Sequence, residues 1–358
     1  MTTPHVQFGQ QLLEQLEEHA WQVDPDPQRD RLRLIDSATF MDTNYEQEWL
    51  IQQILVRGQP AIIGGPKKAL KTNILIDLAI SLATRRPFLN HFGVPRQVRV
   101  GMFSGESGPA VIQETVGRIC RAKSIRSEVP SGCHWGFEPP QLSRLDDLDA
   151  IGEEITDNEL EVVIIDPLYL SLLAGTKDVQ ASNLYQIGPL LAQVTRVCLD
   201  AGATPIFAHH TKKAGHSDNP TELEDLAFAG VQEFARQWIL LGRREKYEPG
   251  TGQHRLWLNV GGSAGQSGCW ALDIHEGRLQ DDFGGRRWDV QVTSATEERS
   301  AARQRRQQVV EEERRERDAA LRARVLAALQ QRPGGATRTE IRNVARVPFP
   351  KILAASTA

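Results

Sequence analysis

What is scarce in this sequence narrows its function before any motif is read. No apolar run approaches the roughly 20 residues that a helix needs to span a bilayer, and the opening MTTPHVQFGQQLLEQLEEHA has no apolar centre of a secretory signal. The expectation is a cytoplasmic chain with no membrane partner. Cysteine is sparse too: Cys120, Cys133, Cys198 and Cys269 show neither CxxC nor Cys/His ligand spacing, which argues against a disulfide framework and a zinc site and leaves reduced thiols. An excess of positive charge is also missing. The net charge is -4, without the global basic signature that nucleic-acid binders often carry. A few local basic loops can still supply the field that attracts phosphates.

What remains is ordinary globular usage, 40% hydrophobic and 25% charged over 358 residues. That length suits one large α/β domain with an appendage. Residues 1–45 are polar, with a helical start at 10–19 followed by the connector DPDPQRD, and read as an N-terminal arm. Residues 46–292 alternate short β-branched runs with helical stretches, the pattern of β-α units around a mostly parallel sheet. Strands are predicted at 60–64, 98–104, 162–166, 204–209 and 238–242, and helices at 72–84 and 184–200. HRLWLNVGG, GCWALDIHEGRLQ and RWDVQV then predict antiparallel hairpins that extend the sheet. Residues 293–358 form a third region: a long Arg/Glu/Ala-rich helix at 293–331, then PGGATRTEIRN, a turn and Thr cap that open a partial winged-helix-like tail.

The densest chemistry lies at 60–73. PAIIGG reads as a strand, PKKAL as a loop and KTNILIDLAISLA as a helix, the layout of a loop that cradles phosphates on backbone N–H groups at a helix N-terminus. The predicted ligand set is Gly64, Gly65, Pro66, Lys67, Lys68, Ala69, Leu70, Lys71, Thr72 and Asn73. Gly64 and Gly65 would permit the turn, Lys71 would reach the outer phosphates, and the Thr72 hydroxyl would bind magnesium. Leu70 stands where G-x-x-x-x-G-K-[ST] has its second glycine, so the pattern requires that this residue avoid positive φ.

Two carboxylates follow at strand ends. EVVIIDPLY places Asp166 where a magnesium-orienting acid belongs, and RVGMFSGESG delivers Glu106 as a candidate general base or, alternatively, a helix-capping residue. PIFAHHTKK is a strand that ends in His209-His210-Thr211-Lys212-Lys213, and the side chains of the two successive histidines point to opposite faces. One of the two can sense the γ-phosphate. The polar loop that Lys212 and Lys213 open can touch DNA phosphates or simply be solvated. WILLGRREKY ends a strand in Arg243, Arg244 and Lys246, the two arginines candidates for a finger that reaches a neighbouring subunit's γ-phosphate, or for plain surface charges.

Taken in order, WLIQQILVRGQPAIIGGPKKALKT, VGMFSGES, VVIIDPLYL and FAHHTKK resemble the RepA-like group of RecA-fold P-loop ATPases, hexameric replicative helicases, over residues 45–290. The resemblance implies a RecA-like core, ATP hydrolysis with magnesium at subunit interfaces of a homo-oligomeric ring, and movement on single-stranded DNA. It also implies Lys71 and Thr72 as nucleotide ligands, Asp166 as the magnesium acid, Glu106 as the base and His209 or His210 as the sensor. Two other functions stay open: a regulatory or repair ATPase that unwinds nothing, and a DNA-binding initiator or adaptor whose ATPase site has lapsed.

Overall fold

The computed structural model describes residues 34–126, 131–173, 184–212, 219–278, 285–330, 334–335 and 337–345. The chain divides into two units, Met1–Gln47 and Glu48–Ala358. In the first, α1 (Ser37–Asp42) begins where the Asp36 carboxylate accepts the N–H groups of Ala38 and Thr39, and the Phe40 and Tyr45 rings stack 5.1 Å apart. The helix and connector expected at 10–30 lie outside the described residues.

In the second unit β1 (Trp49–Ile51) and β2 (Leu55–Val56) form a small antiparallel ribbon. Strand and helix then alternate through β3 (Ala61–Gly65), α2 (Lys71–Thr84), β4 (Val100–Ser104), α3 (Pro109–Ala122), β5 (Cys133–Gly136), α4 (Leu145–Asp157) and β6 (Val162–Asp166). The series continues with α5 (Leu168–Leu173), α6 (Leu184–Asp200), β7 (Thr204–His210), α7 (Ala229–Phe234) and β8 (Gln237–Arg243). A meander of β9 (Gln253–Gly262), β10 (Ser267–Gly277) and β11 (Arg286–Ser294) leads to α8 (Ala295–Gln330) and α9 (Arg338–Ala345).

Nine strands form one sheet in the order β11-β10-β9-β8-β3-β7-β6-β4-β5. From β8 to β5 every pair is parallel, whereas β8, β9, β10 and β11 pair antiparallel. The result is a mixed α/β fold around a large, mostly parallel sheet. Parallel neighbours need long crossovers, and the helices supply them.

The central strands are buried on both faces, so their apolar side chains divide by parity. Ile63, Ile164, Ile206, Ala208 and Leu241 face one core with α2 and α3, whereas Ile62, Ile165, Phe207 and Leu240 face the other with α4 and α6. α2 is buried nearly all round, from Ile74 to Leu82. Each fully buried aliphatic side chain contributes about 1.5–3 kcal/mol, so the helix is anchored and its first turn is held in place.

Two local differences from the sequence prediction have physical reasons. β5 was missed because CHWG is short and has no β-branched residue, and its register against β4 (Val100 opposite Cys133) is a tertiary matter. The long helix begins at Ala295 rather than Thr293, since Thr293 and Ser294 still pair with β10. Ser294 and Glu297 then form a capping box: the Ser294 hydroxyl accepts the Glu297 N–H at 3.2 Å, and Glu297 accepts the Ser294 N–H at 3.2 Å. The Thr cap foreseen at the tail is present, with Glu340 accepting from the N–H and hydroxyl of Thr337 at 2.8 Å each. Residues 346–358 lie outside the described set.

Candidate functional site

β3 ends at Gly65 and α2 begins at Lys71, so the loop between them lies at the C-terminal edge of the parallel sheet, where open α/β sheets bind ligands. Gly64 and Gly65 do not make the turn. They are strand residues in close quarters: a Cβ on Gly64 would collide with Leu226 and Leu240, and one on Gly65 would meet Leu241 Cβ at 3.0 Å. The turn is made instead by two side-chain-bearing residues, Lys68 (φ 59°) and Leu70 (φ 60°), in the left-handed region. This corrects both the glycine role and the requirement that Leu70 avoid positive φ. Such backbone costs about 1–2 kcal/mol per residue and persists where the surroundings over-determine it. For Leu70 that constraint includes its side chain, which packs against the core beside α2.

Leu70 is also the N-cap of α2 and provides no side-chain hydrogen bond to it. The first N–H groups of a helix have no intrahelical partner, so this end presents uncapped donors and the positive end of the helix dipole. Lys71 is buried at 7% exposure and folds back over the loop, donating to Gly65 O at 2.9 Å and Pro66 O at 3.1 Å. Its Nζ lies 3.0 Å from His210 Nδ1. Burial pulls the Lys71 ammonium down to about 8, and the Asp166 and Glu106 carboxylates oppose this only in part.

Thr72 donates its hydroxyl to Asp166 Oδ2 at 2.6 Å, joining the helix start to the end of β6. Burial raises the Asp166 carboxyl, against the hydrogen bond from Thr72 and the charge of Lys71. Glu106, one strand over beyond β4, is exposed and accepts the Tyr169 phenol at 2.6 Å. That bond pushes the phenol up to about 12. The Tyr169 ring lies 5.7 Å from that of His210. Tyr169 was not singled out in the sequence, although it sits three residues beyond Asp166 and the turn after β6 brings it back over the edge.

The histidine ambiguity resolves by parity. His210 shares the face of Ile206 and Ala208 and meets Lys71, while His209 shares the face of Phe207 and points away. His209 Nε2 contacts Ala227 O at 2.9 Å, and its ring is 5.0 Å from Phe228. Burial pulls it down to about 4, so it is neutral at physiological pH. His209 is therefore removed from the set that meets Lys71.

Arg243 and Arg244 also depart from the finger reading. Arg243 donates to Lys67 O at 3.2 Å and Lys68 O at 2.9 Å through one guanidinium nitrogen, so it is engaged by the loop of its own chain. Arg244 is buried, paired with Asp273 and with Glu298 at 2.5 Å, and lies over the Trp257 ring, which ties β8 to β10 and the start of α8. Lys212 folds back onto Glu224 O at 2.9 Å. The loop residues 213–218, including Lys213, lie outside the described set.

A cavity of about 750 Å³ opens beside the helix start, lined by Leu70, Asn73, Val111, Glu114, Arg118 and Arg121 among others. Asn73 is half-buried at its rim. No helix among the described residues is long and apolar enough to cross a membrane.

In comparison with known proteins, a family model described as AAA domain matches residues 27–216, more than half of the chain. The matched stretch contains the loop, Glu106, Asp166 and His210, and it ends before Arg243. No curated protein matches.

Proposed function

This chain belongs to the AAA domain family, a family of P-loop ATPases, and on that footing we propose that it is an ATP-hydrolysing, RecA-like motor acting on DNA, of the RepA-like helicase kind. The observation that carries the reading is the meeting of four strand ends. Lys71 beyond β3, Glu106 beyond β4, Asp166 at the end of β6 and His210 at the end of β7 converge on one edge, joined by the bonds from Thr72 to Asp166 and between Lys71 and His210.

In this reading the backbone N–H groups of the loop and of the first turn of α2 receive the outer phosphates of ATP. Lys71 exchanges the carbonyls of Gly65 and Pro66 for phosphate oxygens. The cavity beside Asn73 takes the nucleoside. The Thr72 hydroxyl and the Asp166 carboxylate are adjacent hard oxygen donors that suit magnesium, and they would hold the ion, which neutralises charge on the phosphate oxygens when bound. Glu106 accepts a proton from the attacking water as its oxygen bonds to the γ-phosphorus and the bond to the β-γ bridging oxygen breaks. Tyr169, donating to one Glu106 oxygen, leaves the other for water. His210 is placed to hydrogen-bond the γ-phosphate.

Assembly into a hexameric ring and a single-stranded DNA substrate complete the proposal. The test is the rate of ATP hydrolysis with and without single-stranded DNA, with strand displacement and mass in solution measured beside it. Stimulated turnover, ATP-dependent displacement and a nucleotide-dependent hexamer are expected. Turnover without displacement would replace the motor by a switch ATPase. DNA binding that survives Lys71→Ala in a protein with no turnover would replace it by an adaptor.

A further inference from the structure

Beyond β3 the loop contains two strained residues and no glycine, so something other than intrinsic backbone preference must keep it in shape. β8 runs parallel to β3, with Gly64 opposite Leu240, and then continues for three more residues alongside the loop. Its last residue, Arg243, brings one guanidinium nitrogen to both Lys67 O and Lys68 O, next to the left-handed Lys68 and two residues before the left-handed Leu70. The following residue, Arg244, is held by Asp273 and Glu298, so the strand end that bears Arg243 has little freedom to move.

We propose that Arg243 is the positioning residue of the phosphate loop, holding the carbonyls of Lys67 and Lys68 outward from the end of β8 so that the loop's N–H groups face the phosphates before nucleotide arrives. The inference rests on the reading of residues 65–72 as a phosphate loop, and it gives Arg243 a role within its own chain rather than in a neighbour's site. Removing the clamp lowers the population of the competent loop, which weakens apparent affinity by that fraction and leaves the rate at saturation alone. A finger that acts on the transition state has the opposite signature, a loss in kcat.

The experiment compares the full chain with Arg243→Ala, Arg243→Lys and Lys71→Ala, using ATP hydrolysis and amide hydrogen exchange in nucleotide-free protein. Arg243→Ala is expected to raise KM for ATP about tenfold with kcat within about twofold, and Arg243→Lys to recover part of that loss. Exchange should accelerate in residues 67–72 and stay unchanged in β3 and β7. A fall in kcat at constant KM, or unchanged exchange in the loop of Arg243→Ala, overturns the proposal. Should the wild type and Lys71→Ala fail alike to hydrolyse ATP, the functional reading falls, and loop exchange in Arg243→Ala still decides whether the clamp exists.

Discussion

Asp77 and Asp166 are both buried, one a residue of the second turn of α2 and the other bonded to its first turn through Thr72, yet their surroundings differ in kind. The Asp77 carboxylate accepts from the Ser81 hydroxyl at 3.1 Å, the Leu89 N–H at 3.0 Å, the Lys123 ammonium at 3.1 Å and the Trp288 indole at 2.7 Å. It ties α2 to α3, to the loop at Leu89 and to β11. The Asp166 side chain accepts one hydrogen bond among the described residues, from Thr72, and burial raises its carboxyl. A buried carboxylate whose lone pairs are taken is structural, and one left short of partners at a sheet edge suits an incoming ligand. The same contrast separates Arg244, locked between Asp273 and Glu298, from Lys71, which rests on carbonyls it can exchange.

The largest effect should come from removing the structural partner. Asp77→Ala takes the carboxylate partner from the buried Lys123 ammonium and the acceptor from the Trp288 indole N–H, and is expected to cost about 3–5 kcal/mol of stability, read as a fall in Tm by calorimetry. Asp166→Ala should leave Tm unchanged or raised while ATP turnover disappears. Equal losses of Tm in the two variants would erase the distinction.

Next comes Glu106→Gln. It should lower kcat by about a hundredfold or more while titration with a fluorescent ATP analogue still reports binding, and retained turnover would take the base role away from Glu106.

A tenfold effect is expected from pH. Lys71 binds phosphate as a cation, and burial holds it to about 8 in the free protein. Affinity is therefore fully present below that pH and is lost as pH rises through it, so KM for ATP should climb by about tenfold per unit beyond it. Lys71→Arg should remove that rise, because arginine keeps its charge. A KM that stays flat from pH 7 to 10 in the wild type would show that Lys71 is not the cation concerned.

The smallest effect is assigned to Tyr169→Phe, which deletes one hydrogen bond to Glu106, worth about 1 kcal/mol, and should reduce kcat about fivefold without changing KM. A change in KM alone would move Tyr169 from orienting Glu106 to binding nucleotide.

Much of this edge was legible in advance because it is local. Residues 60–72 announce strand, loop and helix within one short stretch, and the apolar run before Asp166 reads as a buried strand that ends in an acid. Other features were not legible, for reasons that can be named. The left-handed backbone at Leu70 depends on where its side chain packs, and the need for glycine at 64 and 65 depends on Leu226, Leu240 and Leu241 from neighbouring segments. Tyr169 and Glu106 are 63 residues apart and meet because β4 and β6 are neighbours in the sheet.

The sequence by itself determined the alternation of strand and helix, the parallel core with an antiparallel extension, and the fact that His209 and His210 must point to opposite faces. Local periodicity and backbone chemistry suffice for these. Only the tertiary structure decided which histidine meets Lys71 and that Arg243 lies against its own loop. Those outcomes depend on the order and register of β7, β3 and β8, and register is set by long-range packing across the whole sheet.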